Sequence, residues 1–253
     1  MPTPFYHLSI ADALLEAASL EPAVRRFLET HRSAFYFGHT APDVQSVSGQ
    51  RREDTHHFRV PVQAADRPAW ERLLQRYPAL AAPETLPPGQ AAFLAGYLCH
   101  LQADWMWVLQ IYQPVFGPDC GWETRRRRAY LHNVLRIYLD RQALPGLRPD
   151  IRMVLEGARP INWLPFVQDS QLGCWRDYLS RQLQPGAAIQ TVAVFAARQG
   201  IPAEDYDRLL ASEPRLDREV FTWLPRRLVE AYRRELLRAN IDLLNGYLRS
   251  CNG

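Results

Sequence analysis

The sequence contains no lysine, because all 30 basic residues are arginine. This absence excludes a lysine Schiff base and a P-loop lysine as sources of activity. The four cysteines include no C-x-x-C pair, which argues against a zinc knuckle or a disulfide framework. The sequence also lacks a G-x-G-x-x-G motif and any repeat of about 20 to 50 residues, so a dinucleotide-binding fold and a repeat array are both excluded.

Long apolar runs are absent as well. No stretch reaches the roughly 18 residues of a membrane span, and the first residues lack the charged start and apolar run of a secretory signal. We therefore expect a cytoplasmic protein without stable membrane insertion, and we do not expect a nucleic-acid duplex as its partner. The formal charge is +3.

The remaining composition is that of a folded protein. Hydrophobic residues make up 47% of the 253 residues, and seven are tryptophan, so the chain can bury a substantial core. Apolar residues recur at helical spacing along most of the sequence, and no strand-rich region is present. We predict an all-α fold with helices over residues 8–20, 22–31, 67–77, 89–113, 122–141, 150–158, 165–183, 187–199, 203–211 and 217–248.

Two parts of the chain differ from this helical pattern. Gly38, Pro42, Gly49 and Pro61 interrupt residues 33–68, which predicts a structured loop region with a short extended piece at 58–62. Pro145, Gly146 and Pro149 mark a second break. We therefore divide the chain into a metal-binding helical domain (residues 1–144) and a helical extension packed on it (145–253), and whether the extension caps a pocket stays open.

The most informative motif lies on the long helix of residues 89–113. His100 and Asp104 are four residues apart, so both side chains leave the same face of the helix within about 6 Å of each other. The other residues on this face are mostly aromatic. A carboxylate on a buried face costs several kcal/mol unless it is paired or binds a metal. A hydrogen-bonded pair is the simpler alternative, but the pattern favours a metal site.

Further candidate ligands lie upstream of this helix. They are His7, Asp43 and the adjacent pair His56 and His57. Imidazole and carboxylate together suit zinc, manganese or iron better than calcium. His31 and His39 are expected at the surface, although His39 is kept as a possible neighbour of the site because it precedes Asp43 closely.

These residues, in this order and spacing, resemble the zinc-dependent phospholipase C family, which is related to single-strand nucleases. The resemblance covers residues 1–140 and is carried by the Gly38 to Asp43 step and by the helical His-x-x-x-Asp at His100. It implies a multi-helical fold that holds up to three zinc ions and cleaves phosphoester bonds.

The resemblance also implies a ligand set. Asp43, His100, Asp104 and one of His56 and His57 would surround one zinc, with His56 favoured because it directly follows a threonine. Asp104 would bridge to a second ion that His7 helps to bind. In secreted members the free amino terminus also binds zinc.

The third ion of the family uses a His-x-x-x-Glu on the next helix. Here His132 is followed four residues later by Arg136 rather than an acid, and Asp140 lies about 12 Å from His132 along the helix axis. We keep His132 as a candidate ligand but expect the third ion to be absent or held differently.

The leading hypothesis is a hydrolase of phosphoesters with one or two zinc ions, with Mn²⁺ or Fe²⁺ as alternatives. Water beside the metal would have a pKa near about 7 and would attack phosphorus, with Asp43 or Asp54 accepting its proton. The substrate would be a small anionic molecule or phosphoester. One alternative is a repurposed metal-binding member with biosynthetic, non-phosphoester chemistry or only ligand binding. Another is a helical interaction protein.

Overall fold

The structure, a computed structural model, describes residues 1–252. Within this range the α-helices are α1 (Pro4–Glu16), α2 (Pro22–Thr30), α3 (Arg32–Gly38), α4 (Gln45–Ser48), α5 (Arg52–His56), α6 (Ala69–Arg76), α7 (Pro88–Trp107), α8 (Gln113–Phe116), α9 (Arg125–Ala143), α10 (Ile151–Glu156), α11 (Asp169–Gln182), α12 (Thr191–Gln199), α13 (Ala203–Leu210), α14 (Glu213–Leu216) and α15 (Arg226–Tyr247). Short 3-10 and π segments connect several of them.

The chain is all-helical, as predicted: none of residues 1–252 forms a β-strand. The same residues include no helix that is both long and apolar enough to cross a bilayer.

Helix α7 lies at the centre of the molecule, and 15 of its 20 residues are buried. The predicted helix 89–113 therefore exists, but a π segment, Val108–Tyr112, joins α7 to α8 and prolongs the helical path to Phe116.

Helix α3 packs against α7 through two glycines. A Cβ added to Gly38 would lie 2.0 Å from the carbonyl oxygen of Phe93, and one added to Gly96 would lie 2.2 Å from that of Phe35. Only glycine allows the two backbones to approach so closely. The prediction of a loop over 33–68 was wrong here, because Gly38 ends a helix that needs it for packing rather than breaking the chain into a loop.

The rest of residues 33–68 also differs from the prediction. It contains the short helices α4 and α5 and a 3-10 turn, Ala41–Val44. The expected extended piece at 58–62 has no strand partner. Instead the side-chain amide of Gln113 accepts a hydrogen bond from the backbone N–H of Val62 (2.6 Å) and donates one to its carbonyl (3.2 Å).

Prolines explain two further boundary differences. Helix α1 begins at Pro4, earlier than expected, because proline suits the first turn of a helix. The predicted helix 217–248 is interrupted before α15, where Pro225 is the N-cap. Proline also restricts the backbone of the residue before it, so the helix could not run through.

Helices from both sides of the predicted domain division pack together. That division falls in the 3-10 turn Leu144–Gly146. Helix α15 packs on α7, where the Tyr232 hydroxyl donates a hydrogen bond to the carbonyl of Ala103 (3.0 Å). From α11, the Trp175 indole donates to the carbonyl of Thr40 (2.8 Å), just before the turn that carries Asp43.

Candidate metal centre

Helix α7 presents His100 and Asp104 on one face, as their spacing predicts. Their side chains are 0% and 1% exposed. His100 Nε2 and Asp104 Oδ2 lie 3.9 Å apart. These two residues form the base of a cluster to which three other segments contribute.

The other segments deliver one residue each. His56 is the last residue of α5, Asp43 lies in the 3-10 turn Ala41–Val44, and His7 lies in α1. His7 and His56 are fully buried, whereas the Asp43 side chain is 19% exposed. The structure therefore brings together five candidate ligands that the sequence spreads over almost a hundred positions.

Three of these side chains, Asp43, His56 and His100, are spaced as the ligands of one ion would be, and Asp104 lies beside them. His56 Nε2 lies 3.3 Å from Asp104 Oδ2, 3.3 Å from His100 Nε2 and 3.6 Å from Asp43 Oδ1. In a tetrahedral zinc site with bonds of about 2.1 Å, ligand atoms lie about 3.4 Å apart. The separations from His56 are close to this spacing, and the ligand atoms of Asp43, His56 and His100 all lie within 4.8 Å of one another. Three protein ligands would leave the fourth position of a tetrahedral ion to water, as in catalytic zinc sites.

The hydrogen bonds behind the cluster orient both imidazoles. His100 Nδ1 lies 2.8 Å from the carbonyl oxygen of His39, so Nδ1 carries the proton and Nε2 presents a lone pair. His56 Nδ1 lies 3.0 Å from the hydroxyl of Thr55, which itself donates to the Arg52 carbonyl. The hydroxyl is then free to accept from His56 Nδ1–H, and this leaves His56 Nε2 as a second lone pair facing the first.

His7 forms a second group with His100 and Asp104. Its ring stacks on that of His100 at 3.8 Å, and its Nε2 lies 3.5 Å from Asp104 Oδ1. Among the described residues, neither His7 ring nitrogen nor Asp104 Oδ1 has a hydrogen-bond partner. Unpartnered buried polar atoms are rare in proteins. A cation bound by His7 Nε2 and Asp104 Oδ1 would give each of these two atoms a partner.

Both carboxylates are held in the ionised form. Burial would raise the pKa of Asp104, but its contacts with His56 and His7 and the charge of Arg52 outweigh burial and hold the pKa well below its usual range. The pKa of Asp43 is also lowered, because contacts with His56 and the nearby His100 outweigh burial.

The pKa of His100 moves in the direction that suits a ligand. Burial and the neighbouring His7 lower it to about 3, so the imidazole is neutral at pH 7. Two anionic carboxylates and a neutral imidazole lone pair thus converge within a few ångströms. These buried histidines and aspartates could hold a metal ion.

The two groups share one donor atom. His100 belongs both to the group with Asp43 and His56 and to the group with His7 and Asp104. Its Nδ1 is bonded to the His39 carbonyl, so only Nε2 is available, and one lone pair binds one ion. If His100 binds the first ion, a second ion bound by His7 would have Asp104 as its other ligand from this cluster.

Three predicted site residues do not join either group within the described residues: His57, Asp54 and His132. His57 follows α5 with a φ of 61°, which turns its ring away from His56 and onto Phe166 (4.9 Å between ring centroids). Asp54 lies on the exposed side of α5 and pairs with Arg51. The structure thus brings His56 rather than His57 to the cluster, and of the two expected proton acceptors only Asp43 lies there.

His132 also lies outside both groups. Its Nε2 accepts a hydrogen bond from the Trp107 indole (3.1 Å), and its ring packs on Phe116. Asp140, on the same helix, is instead held by the hydroxyls of Thr3 and Thr191. Helix α9 therefore adds no ligand to the cluster.

Sequence reasoning missed the burial of His39. Its side chain was expected at the surface but is fully buried, packs edge-on against Phe35 and has no hydrogen-bond partner on either ring nitrogen within the described chain. Burial, then His7 and His100, lower its pKa well below the usual value. The expectation that His39 neighbours the site is consistent with its carbonyl contact to His100. No sequence signal distinguishes this histidine from an exposed one.

Arg52 was missed as well. Its guanidinium donates to Asp104 Oδ2 (2.6 Å) and lies over the ring of Phe58, 4.5 Å from its centroid. Arginine is so frequent in this chain that its spacing carried no signal.

The cluster opens into a cavity of about 310 Å³. Asp43, Arg52 and Asp104 line one side, and residues of α11 and α12, including Trp175 and Phe195, line another. A small molecule in this cavity would contact both the candidate ligands and the C-terminal helices.

No family model, curated protein or solved structure matches the chain.

Proposed function

We propose that this protein is a zinc-dependent hydrolase of phosphoesters, as the resemblance to the zinc-dependent phospholipase C family implies. The observation that carries the proposal is the convergence of Asp43, His56 and His100, whose ligand atoms all lie within 4.8 Å of one another, with Asp104 beside them. Three such ligands would leave the fourth position of a tetrahedral zinc to water.

The alternative of a purely structural cluster is less favourable. The Nε2 atoms of His56 and His100 face each other at 3.3 Å, and both face the Asp104 carboxylate. With His100 protonated on Nδ1, its Nε2 is only an acceptor. With His56 protonated on Nδ1 toward the Thr55 hydroxyl as well, the facing atoms are all acceptors, and a divalent ion among them would remove their repulsion.

Zinc fits this donor set best. Two imidazole nitrogens and two carboxylate oxygens at short spacing suit a small borderline-soft ion, and calcium would require more oxygen ligands at longer distances. When bound, zinc would polarise a phosphoryl oxygen and lower the pKa of water toward about 7. Mn²⁺ and Fe²⁺ accept similar ligands and stay alternatives.

The residues of the chain would supply the other parts of the reaction. Asp43 is the more exposed of the two carboxylates and lines the cavity, so its carboxylate can take the proton of the attacking water. Arg52 lines the same cavity and can stabilise negative charge that develops on the phosphoryl oxygens. Asp54 is paired with Arg51 outside the cavity and has no role in this scheme.

The competing function is a repurposed family member that binds a small acidic ligand without cleaving it. One observation favours it: His132 is engaged by Trp107, and Arg136 stands where the family pattern has an acid, so a third ion has no ligands on α9. Loss of one ion weakens the phosphate clamp that hydrolysis would use.

The two functions separate in one experiment. Zinc content of the purified protein is measured by inductively coupled plasma mass spectrometry, and turnover is measured with bis(p-nitrophenyl) phosphate. We expect one to two zinc ions per chain in the wild type and hydrolysis that chelation abolishes. Asp104→Asn should lose both zinc and activity, whereas Asp54→Asn should keep both.

Zinc without turnover of any phosphoester would support the binder instead. Full activity of Asp104→Asn would refute the assignment of Asp104 as a ligand. A wild type that binds no divalent metal would leave the helical interaction protein as the remaining interpretation.

A further inference from the structure

Two arginines in the cavity lack carboxylate partners. The cavity is lined by three arginines, Arg52, Arg136 and Arg198, and by two carboxylates, Asp43 and Asp104. Arg52 is paired with Asp104, and Asp43 contacts His56. Within the described residues, Arg136 and Arg198 therefore have positive charge that no acid neutralises by direct contact.

Arg136 is held in place without being neutralised. Its guanidinium lies over the ring of Phe195, 4.3 Å from the centroid, and Nη1 donates to the side chain of Asn133 (3.2 Å). The buried Nε has no partner in the described part of the chain. Of the five N–H donors of this guanidinium, most therefore have no partner within the described residues, and those at the cavity surface can bind a ligand.

The nearest acid on the same helix acts on this charge without contacting it. Asp140 is one turn from Arg136 but accepts hydrogen bonds from Thr3 and Thr191 instead. Burial lowers the pKa of Arg136 to about 10 because the guanidinium has lost part of its hydration. The side chain is still charged at neutral pH.

Arg198 brings a second positive charge to the same place. It lies on α12, is exposed and lines the same cavity. Its charge lowers the pKa of Arg136, whereas the acids Asp43, Asp104 and Asp140 raise it. Within the described part of the chain, Arg198 forms no hydrogen bond or ion pair. Two like charges placed together favour an anion between them, because each repels the other in its absence.

The remaining walls restrict what this anion can be. Phe5, Trp175, Tyr178 and Phe195 provide apolar and aromatic surface. A cavity of about 310 Å³ is at the lower end of the range for small-molecule sites, so it suits a compact organic molecule rather than a lipid with two acyl chains. A quaternary ammonium head group would meet repulsion from both arginines.

We infer that the substrate is a compact phosphoester with a second anionic group, carboxylate or phosphate, that Arg136 and Arg198 bind while the first phosphoryl group lies at the metal centre. This inference rests on the proposed function, because it places the scissile group at the zinc ligands. It excludes neutral and cationic head groups as the favoured substrates.

Two non-hydrolysable probes of matched size test the inference. Phosphonoacetate has a phosphonate and a carboxylate, and its amide, phosphonoacetamide, replaces the carboxylate by a neutral group. Binding of each to zinc-loaded protein is measured by isothermal titration calorimetry. We expect phosphonoacetate to bind about tenfold more tightly, the lower end of what a charge-assisted hydrogen bond contributes.

The carboxylate of phosphonoacetate could also bind the zinc directly. Variants of the two arginines test whether the preference for phosphonoacetate comes from them instead. Arg198→Gln and Arg136→Gln should reduce the preference to near one with zinc content unchanged. Arg238→Gln, an exposed arginine of α15 outside the cavity, should keep it. Arg198 is exposed, so its variant should fold even if that of the partly buried Arg136 does not.

The outcomes separate this inference from the proposed function. Equal binding of the two probes by the wild type, no binding of either probe, or a preference that survives in Arg198→Gln would overturn the second-anion site and leave zinc-dependent hydrolysis standing. An arginine-dependent preference in a protein that hydrolyses no phosphoester would support the anion site and refute the hydrolase.

Discussion

Arg52 donates a hydrogen bond of 2.6 Å to Asp104, although 52 residues separate them in the sequence. The carboxylate is 1% exposed, so this contact orients a buried acid at the bottom of the cavity. Asp104 Oδ2 also lies 3.3 Å from His56 Nε2. The oxygen atom that accepts the hydrogen bond from Arg52 is therefore part of the candidate metal centre.

Arg52→Gln should lower kcat/KM for bis(p-nitrophenyl) phosphate about tenfold while zinc content stays unchanged. The candidate ligands remain, but a charge-assisted contact to the phosphoryl group is lost, and such contacts contribute about 1.5 to 3 kcal/mol. Steady-state kinetics and metal analysis give both values. Arg51→Gln is the control, because Arg51 is exposed and pairs with Asp54. If Arg52→Gln loses zinc, the main role of Arg52 is instead to orient Asp104 in the metal centre.

His56→Gln should lose most of its bound zinc, and His57→Gln should retain it. The two residues are adjacent, yet His56 Nε2 faces Asp43, His100 and Asp104, whereas the His57 ring packs on Phe166. Equilibrium dialysis against zinc, with each variant checked by circular dichroism, measures the difference. The reverse order of zinc affinities would transfer the ligand role to His57.

Asp140→Asn should stabilise the protein above pH 6. Burial raises the pKa of Asp140 from 3.8 to about 6, although hydrogen bonds from Thr3 and Thr191 and the charge of Arg136 oppose the rise. The folded state therefore binds a proton more tightly than the unfolded chain, so the free energy of unfolding falls as pH rises from about 4 to about 6 and is then constant.

A shift of about 2 pH units corresponds to about 3 kcal/mol, and a neutral asparagine would recover part of it at pH 7.5. Urea unfolding of metal-free protein in EDTA, at pH 4 and pH 7.5, measures the change. The stabilisation should be largest at pH 7.5 and small at pH 4. Asp207→Asn, at an exposed ion pair, should change the free energy of unfolding by less than about 1 kcal/mol at both pH values. A wild type whose stability rises over this pH range relative to Asp140→Asn would contradict the raised pKa.

Gly38→Ala and Gly96→Ala should each lower the free energy of unfolding by about 3 kcal/mol or more. Each added methyl group would lie 2.0 to 2.2 Å from a backbone carbonyl oxygen on the facing helix, which cannot move aside like a flexible side chain. Gly173→Ala in α11 meets nothing within 4 Å and should stabilise the protein by about 0.5 to 1 kcal/mol. Chemical denaturation measures all three. Equal effects of Gly38→Ala and Gly173→Ala would show that α3 and α7 can separate.

The sequence was most informative where a pattern is local. Apolar spacing predicted the long helix α7, and the four-residue interval of His100 and Asp104 placed both on one face of it, because these properties depend only on helix geometry. The structure places Asp43, His56 and His7 beside them.

Features that depend on tertiary packing could not be predicted. A glycine such as Gly38 looks the same in the sequence whether it breaks a helix or allows two helices to approach closely. The sequence therefore predicts a loop where the structure has α3. His39 is buried only because α3 packs on α7. Arg136 and Arg198 lie 62 residues apart, and nothing in their surroundings indicates that α9 and α12 bring them to one cavity.

The hydrogen bond from Trp175 to the carbonyl of Thr40 has a practical consequence for anyone who wishes to shorten this protein. Every candidate ligand that the structure brings into the cluster precedes residue 105, which suggests a minimal fragment ending near residue 144. Such a truncation would remove the indole that hydrogen-bonds to the turn carrying Asp43, together with the two helices that line the cavity. The smallest fragment worth engineering therefore extends at least through α12.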